Sequence, residues 1–422
     1  MNRPYRILLV AYFYPPMRII GARRPHGLAR WLRRRGHHVA VLTSIHSGET
    51  GGDPAIPVVR TRDLLATRFN WRRRNLQVIT GQRDGSWSPG PGVWGSVFVP
   101  DVQLLSWVPF AVTQSLRLHR RHNFDAVVTT SPVESTHAVG WALSRAGVPW
   151  IADLRDGWCF ENPRDPLPTR GQRWLDMAME RVTVCSADGV VTVSEPLSAD
   201  LRRRYGVAVE TITNGFDPDD LPGSRPPADG VNPGKLSLVH TGGLGHERTL
   251  KPVLEALARL HAADHGLPDR VELVLAGAQT EQERALYAEP RFAPFVHHLG
   301  FIAHDESIGL QRSADVLLLV TSGVRTGEAT GKLFEYLAAG RPILVVGAGS
   351  AAADIVTGAG AGSAIPVRDT DSAERALQAM LASPPPAPPK SAPEPFAYPA
   401  LAARYEQTIE QAIARAADPR RG

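Results

Sequence analysis

The sequence predicts an α/β protein of two doubly wound domains, each a parallel sheet with helices on both faces. Three observations predict it. Apolar strand-like runs alternate with helix-like runs along the chain, as parallel sheets with helical crossovers require. A chain of 422 residues is too long for one ordinary core and suggests two domains of roughly 200 residues each. The stretch from Asp217 to Gly234, DPDDLPGSRPPADGVNPG, carries several prolines and glycines and reads as a linker between halves that repeat the same logic. The expected divisions are a first domain over 1–216, the linker over 217–234, a second domain over 235–395 and a terminal helix over 396–422.

The elements follow in order. RILLVAYFY is apolar for too few residues to span a bilayer and runs into a Pro-Pro break, so it is a first buried strand. A helix from about Pro25 to Arg35 follows, its last arginines complementing the helix dipole, and HHVAVLTS is the next strand. Residues 47–122 are less regular and rich in Gly, Trp and Arg, which suggests an insertion or a substrate loop. DAVVTTS resumes the strands. A helix over His137 to Ala146, the strand PWIADLR, a longer helix within Gly171 to Ala187, the strand GVVTVS and then TITNG close the half. In the second half KLSLVHTG is a strand ending in glycines, LKPVLEALARLHAADH is an amphipathic helix, and VELVLAG, VHHLGFI, DVLLLV and PILVV are strands. Ser383 to Pro399 is a proline-rich spacer, and LAARYEQTIEQAIARAA is a closing helix placed to cross back onto the first domain.

Composition narrows the function. With 43% hydrophobic and 21% charged residues the chain is globular throughout. Cys159 and Cys185 stand far apart and match no metal or redox spacing, so a reducing, cytoplasmic setting is expected. A formal charge of +5 invites a nucleic-acid partner, yet the only lysines are Lys235, Lys251, Lys332 and Lys390, and the arginine clusters sit in no nucleic-acid-binding motif. No such partner is expected. RFNWRRRNLQV, with Trp71 beside three arginines, is either an exposed loop or a peripheral contact with the inner face of a membrane.

The most informative segment is Asp315 to Val346, which reads as buried strand, glycine-rich loop, short helix and second buried strand. Lys332 falls at the start of that helix, where its charge opposes the macrodipole and costs roughly 0.3 to 1 kcal/mol unless an anion is present. Glu335, three residues on, shares its face and can accept hydrogen bonds from a ligand's hydroxyls. Phosphate plus sugar hydroxyls means a nucleotide. The plain alternative is a solvated Lys/Glu pair on a surface helix.

At this point the chain resembles the GT-B glycosyltransferases, specifically the retaining, family 4-like group that includes the bacterial WbuB-like and WcaI-like sugar transferases. The resemblance rests on AYFYPPMRIIGARRPHGLARWLRRRGHHVAVLTS, PWIADLRDGW, VTVSEPLSADL with TNGFDPDD, HTGGLGHERTLKPVLEAL and TGKLFEYLAAGRPILVVG, in that order. It implies two Rossmann-like domains facing across a cleft, the second binding a nucleotide diphosphate sugar. By this resemblance Glu335 holds the ribose hydroxyls, and Lys332 and Arg248 take the diphosphate. Gly242, Gly243 and Gly245 let the backbone approach the phosphates. Gly277, Phe301 and Ile302 lie where such enzymes hold the base. Arg325 is a further phosphate candidate, and Glu328 with Gly331 would face the donor sugar. The family carries two glutamates with seven residues between them; Glu328 and Glu335 have only six. In the first domain Gly21, with Arg23 and Arg24, occupies the expected glycine loop and would close over the diphosphate. Where many relatives have a histidine, this chain has Arg155 and Asp156. Asp156 or Asp153 is then the candidate to orient the acceptor or take its proton, with Arg155 pairing to Asp153 or a phosphate, and His137 as a third catalytic candidate.

Three other signals point elsewhere. VVGAGSAAADIV with Asp369 fits a dinucleotide fingerprint but lies at the end of a domain rather than its start. DPDD falls in the linker, and no metal is expected. Glu180, Glu195 and Asp200 read as solvated acids. The expectation is a metal-independent glycosyltransferase moving a sugar from a UDP- or GDP-activated donor to a saccharide, lipid-linked saccharide or small-molecule acceptor, with retention and with no cofactor besides the donor. A nucleotide-sugar 2-epimerase and a non-catalytic nucleotide-sugar-binding protein are the alternatives. Oligomeric state is not legible.

Overall fold

The computed structural model describes residues 3–17, 20–48, 53–64, 98–161, 169–221, 230–245 and 247–417. Among them, residues up to Thr213 and from Tyr398 onward form one unit, and Asn214–Ala397 form the other.

In the first unit the strands are β1 (Arg6–Ala11), β2 (His38–Ser44), β3 (Val58–Thr61), β4 (Ala126–Thr130), β5 (Trp150–Leu154), β6 (Gly189–Thr192) and β7 (Glu210–Thr211). They pair in parallel in the order β3-β2-β1-β4-β5-β6-β7. Strand side chains alternate between faces. Ile7 and Leu9 pack on the helix α1 (Ile20–Arg34), while Leu8 and Val10 pack toward the opposite layer. That layer holds α2 (Gln103–Ser106), α3 (Val108–His122), α4 (His137–Ser144), α5 (Arg170–Ser186) and α6 (Glu195–Tyr205). Strand β3 and helix α3 lie in the stretch expected to be irregular; α3 starts with Pro109 in its first turn and buries Val108, Ala111 and Ser115. Residues 65–97, which include Trp71 and its arginines, lie outside the described residues. Trp107 is a core residue: it is fully buried, its Nε1 donates to Thr61 Oγ1 at 2.8 Å, and its ring stands edge-on to Tyr12.

The second unit has β8 (Leu236–Thr241), β9 (Val271–Ala276), β10 (Val296–Gly300), β11 (Val316–Val320), β12 (Ile343–Val346) and β13 (Gly362–Ile365), parallel in the order β10-β9-β8-β11-β12-β13. Its helices are α7 (Lys251–Ala263), α8 (Glu281–Tyr287), α9 (His304–Ser313), α10 (Gly331–Ala339), α11 (Ala351–Gly358) and α12 (Thr370–Ala382). Helices α7 and α12 cover one face; α9, α10 and α11 cover the other. The fingerprint-like run folds as the strand, turn and helix of β12 and α11, next to β11 and one strand beyond the switch in strand order between β8 and β11, and the start of α11 donates from Ala351 N to Thr326 O at 2.7 Å and from Ala352 N to Glu328 O at 3.1 Å.

The final helix, α13 (Tyr398–Ala416), belongs to the first unit. Its buried residues Leu401, Tyr405, Ile409 and Ala412 recur at helical spacing and join α1 in the layer over β4, β5 and β6. Gly27 of α1 permits this approach: a Cβ there would fall 2.4 Å from the Tyr398 ring.

Candidate functional site

The switch in strand order of the second sheet lies between β8 and β11, and open α/β sheets bind ligands outside the carboxyl ends of their strands at such a point. Gly242 leaves β8 there with φ of +119°, a conformation that favours glycine. A Cβ at Gly242 would fall 2.2 Å from Lys332 Nζ, so the ammonium lies directly over the turn. Gly277 leaves β9 with φ of +124° and packs its Cα on the backbone of Gly242, where a Cβ would meet the carbonyl at 2.6 Å. The turn is braced from behind. Tyr336 Oη accepts from Thr241 N at 2.8 Å, and Gln311 Nε2 donates to Thr241 Oγ1 at 2.9 Å. The buried His240 donates from Nδ1 to Leu318 O at 2.9 Å, and burial with the nearby Lys332 charge keeps its pKa well below the ordinary value. These three braces were not picked out in the sequence, because His, Thr, Gln and Tyr at those spacings carry no distinctive pattern.

Lys332 is the second residue of α10. Thr330, at the N-cap position, makes no side-chain cap; its carbonyl accepts from Leu333 N at 3.1 Å, and no side chain of the cap takes the N–H groups of Gly331 and Lys332. Burial first and the Arg248 guanidinium second push the lysine pKa down from 10.5 to about 8, against the opposing pull of Glu335 and Glu328. Two cations and two carboxylates thus converge on one glycine turn. Arg248 is already engaged. Its Nε donates to Glu328 Oε1 at 2.9 Å, its Nη2 donates to the same oxygen, and Glu328 Oε2 accepts from Ser322 N at 2.9 Å. Glu328, expected at the donor sugar, is therefore the partner of Arg248, with both carboxylate oxygens occupied.

The remaining candidates of this unit sit along the same strand-end edge. Gly331 is the first residue of α10. Gly277 N donates to Gly300 O at 2.7 Å, which brings the end of β9 beside Phe301 and Ile302; Phe301 is 67% exposed. Gly243 follows Gly242 in the turn, near Ala278 O. Arg325 lies in the turn before Glu328, partly exposed and without an ion-pair partner among the described residues.

The first unit's candidates fare differently. Gly21 is not in a loop; it is the second residue of α1. Pro25, four residues on, lacks the N–H that would bond the Gly21 carbonyl, and Arg155 Nη1 takes that oxygen instead at 2.7 Å. Arg155 is buried and also donates to Ser131 O at 3.2 Å. Asp153 pairs with Arg24 through two hydrogen bonds of 3.1 and 3.0 Å, both side chains nearly inaccessible. Arg24 further donates to Thr213 O at 2.5 Å, Ile212 O at 2.8 Å and Tyr405 Oη at 3.0 Å. Burial alone would raise the Asp153 pKa, and the Arg24 guanidinium more than reverses it. Arg24 and Asp153 are therefore core residues rather than groups open to a diphosphate or an acceptor. His137 is likewise a packing residue: fully buried, within 2.8 Å of Thr129 Oγ1, stacked on Trp158, and pushed down to about 4 by burial, hence neutral. Asp156 alone of the catalytic candidates is exposed, in the loop after β5.

The other acids divide. Glu180 is fully buried and accepts from Arg204, Tyr205 Oη at 2.6 Å and Cys159 N at 3.1 Å; Asp200 is 6% exposed and pairs with Arg203 and Arg204. Neither is solvated, and the Arg202–Arg204 run serves these pairs. Only Glu195 is exposed, and it holds Arg202. Among the described residues no group of three acidic, histidine or cysteine side chains is placed to hold a metal, and no helix is long and apolar enough to cross a membrane.

Comparison with known proteins bears on this geometry. Residues 21–215 match the glycosyl transferase 4-like domain model and residues 235–383 match that of the glycosyl transferases group 1. A comparison with curated protein sequences returns no match. Among solved structures the chain is similar to a sucrose-phosphate synthase from Thermosynechococcus elongatus, at 18% identity and TM-score 0.67, over 98% of this chain and 100% of that one. A UDP-forming α,α-trehalose-phosphate synthase from Burkholderia vietnamiensis matches at 14% identity and TM-score 0.63, over 98% and 100% of the two chains. HepE of Anabaena, determined in complex with UDP-glucose, matches at 15% identity and TM-score 0.52, over 97% and 98%.

Proposed function

Because this chain belongs to the GT-B glycosyltransferases, with a 4-like domain followed by a group 1 domain, we propose that it transfers a sugar from a UDP- or GDP-activated donor to an acceptor, with retention and without a metal. The observation that carries the donor assignment is Lys332, a partly buried cation held over the Gly242 turn at the uncapped start of α10 and beside a second cation. Burial and like charge both disfavour that ammonium; an anion relieves both. A donor diphosphate would sit against Lys332 and the start of α10, with Glu335 accepting from the ribose hydroxyls. Arg248 would exchange part of its bond to Glu328 for a phosphate oxygen. UDP-glucose bound to HepE supports the kind of ligand.

In the step itself the bond from the anomeric carbon to the diphosphate oxygen breaks, and the acceptor forms its bond on the face being vacated. The acceptor's proton passes to a diphosphate oxygen. Charge builds on the leaving diphosphate, so Lys332 and Arg248 stabilise the transition state more than the ground state. Asp156, exposed in the loop after β5, remains the first unit's candidate to orient an acceptor.

A thermal-shift panel of UDP, GDP and their sugars tests the reading. At a hundred times its dissociation constant the correct nucleotide should add about 2.7 kcal/mol of stability. Lys332→Ala should weaken that binding by about 1.5–3 kcal/mol, the worth of a hydrogen bond to a charged group. If no nucleotide stabilises the wild-type protein, the donor assignment is wrong.

A further inference from the structure

Helix α5 presents to water the face that a surface helix normally buries. In RGQRWLDMAMERVTVCS the residues turned inward are Asp176, Glu180, Thr183 and Val184, the first three polar and only 2%, 0% and 7% exposed. Those turned outward include Trp174 at 67% exposure, Leu175 at 43%, Met177 at 50% and Val182 at 50%. An ordinary amphipathic helix does the reverse. The inward acids are fully used: Asp176 Oδ1 accepts from Trp158 Nε1 at 2.8 Å, and Glu180 holds Tyr205, Arg204 and Cys159 N. Packing of the first unit therefore explains the polar side but not the apolar one. Trp141, on the adjacent packed helix α4, is 45% exposed in the same layer and adds to the apolar surface.

The charges on the outward side have one sign. Arg170, Arg173 and Arg181 are exposed, none has an ion-pair partner among the described residues, and both acids of the helix are buried. We propose that this face of α5 seats on an anionic lipid bilayer. Trp, Leu, Met and Val would enter the boundary between headgroups and acyl chains, while the arginine stems extend to lipid phosphates. A second copy of the chain is a poorer occupant, because a two-fold interface over this face would bring the three arginines against their own equivalents. In a parallel sheet the helix after a strand begins near that strand's carboxyl end, so Trp174, Leu175 and Met177, in the first half of α5, lie toward the edge of β5 that carries Arg155 and Asp156. Seating α5 on a bilayer would bring that edge to the headgroups, where a lipid-borne acceptor is found. This last consequence rests on the proposed function; the seating itself does not.

Flotation of the full-length protein with vesicles tests the proposal. Vesicles of phosphatidylcholine with about 30% phosphatidylglycerol should carry the protein, pure phosphatidylcholine should carry much less, and added salt should weaken the binding. Trp174→Ser/Leu175→Ser and, separately, Arg170→Glu/Arg173→Glu/Arg181→Glu should each lower the bound fraction roughly tenfold, since apolar insertion and lipid charge contribute jointly. The substituted side chains are exposed, so an unchanged melting temperature serves as the check on folding. A wild-type protein that stays off anionic vesicles, or variants that float like it, overturns the proposal. So does a dimer in size-exclusion chromatography that Trp174→Ser/Leu175→Ser dissociates, which would assign the face to a second copy. The nucleotide-induced thermal shift should persist in every variant, and it reads the donor site independently of the bilayer.

Discussion

Arg24 is a buried cation and Lys332 a partly buried one, and their surroundings give them opposite characters. Arg24 meets Asp153 and stays charged; Lys332 meets Arg248 and is pushed toward neutrality. The lysine's folded-state pKa, about 8, lies below its ordinary 10.5, so the folded protein binds fewer protons than the unfolded chain between those values. Stability of the ligand-free protein should accordingly rise with pH across that window. Donor affinity should do the opposite, level below about pH 8 and falling above it as the ammonium is lost. Denaturant unfolding of the ligand-free protein across this range checks the first sign, and titration calorimetry with a nucleotide sugar, through its coupled proton uptake, checks the second. An affinity that stays level to pH 10 would remove Lys332 from the site. For the other cation, Arg24→Met leaves Asp153 charged and unpaired in the core and should cost about 3–5 kcal/mol in denaturant unfolding. Arg24→Met with Asp153→Leu should recover much of that loss, because what destabilises is the orphaned charge rather than the missing bond.

At the scale of elements, the two helices that matter most are defined by what their termini and faces lack. Helix α10 lacks a side-chain cap at its start, where the proposed diphosphate would lie. Helix α13 has no core of its own in the second unit and supplies Tyr398, Leu401, Tyr405 and Ile409 to the first. Each such side chain is worth roughly 1.5–3 kcal/mol when fully buried, and four together approach the whole stability of an ordinary domain, about 5–15 kcal/mol. A chain ending at residue 397 should therefore leave the first unit without a cooperative melt, while nucleotide still shifts the second. A truncated protein whose first unit melts as before would show that α13 is dispensable. Periodicity exposed α13 in the sequence because its apolar residues repeat at i, i+3 and i+4. The short strands β3 and β13 escaped notice because VVRT and GSAI are too brief to show a period.

At the scale of the whole molecule, the sequence by itself determined the class of fold and singled out the corner of the second unit that is proposed to hold the donor. Buried parallel strands must be continuous apolar runs, and a glycine turn, lysine and glutamate near a helix start are local features that survive reading in one dimension. Lys332, Gly242 and Gly277 were legible for that reason, and the structure brings them together at one turn. The fate of the charged residues was decided only in three dimensions. Arg24 looked like a ligand group and became the partner of Asp153; Glu328 looked like a sugar contact and became the partner of Arg248; His137 looked catalytic and was buried against Trp158. The acids of α5 looked solvated or unremarkable and turned inward, which left its tryptophan and leucine facing out. Hydrophobic patterning is set by neighbours in sequence, whereas a charge takes its role from whichever partner and how much water the packed chain leaves it, and in these pairs the partner lies from 18 to 129 positions away.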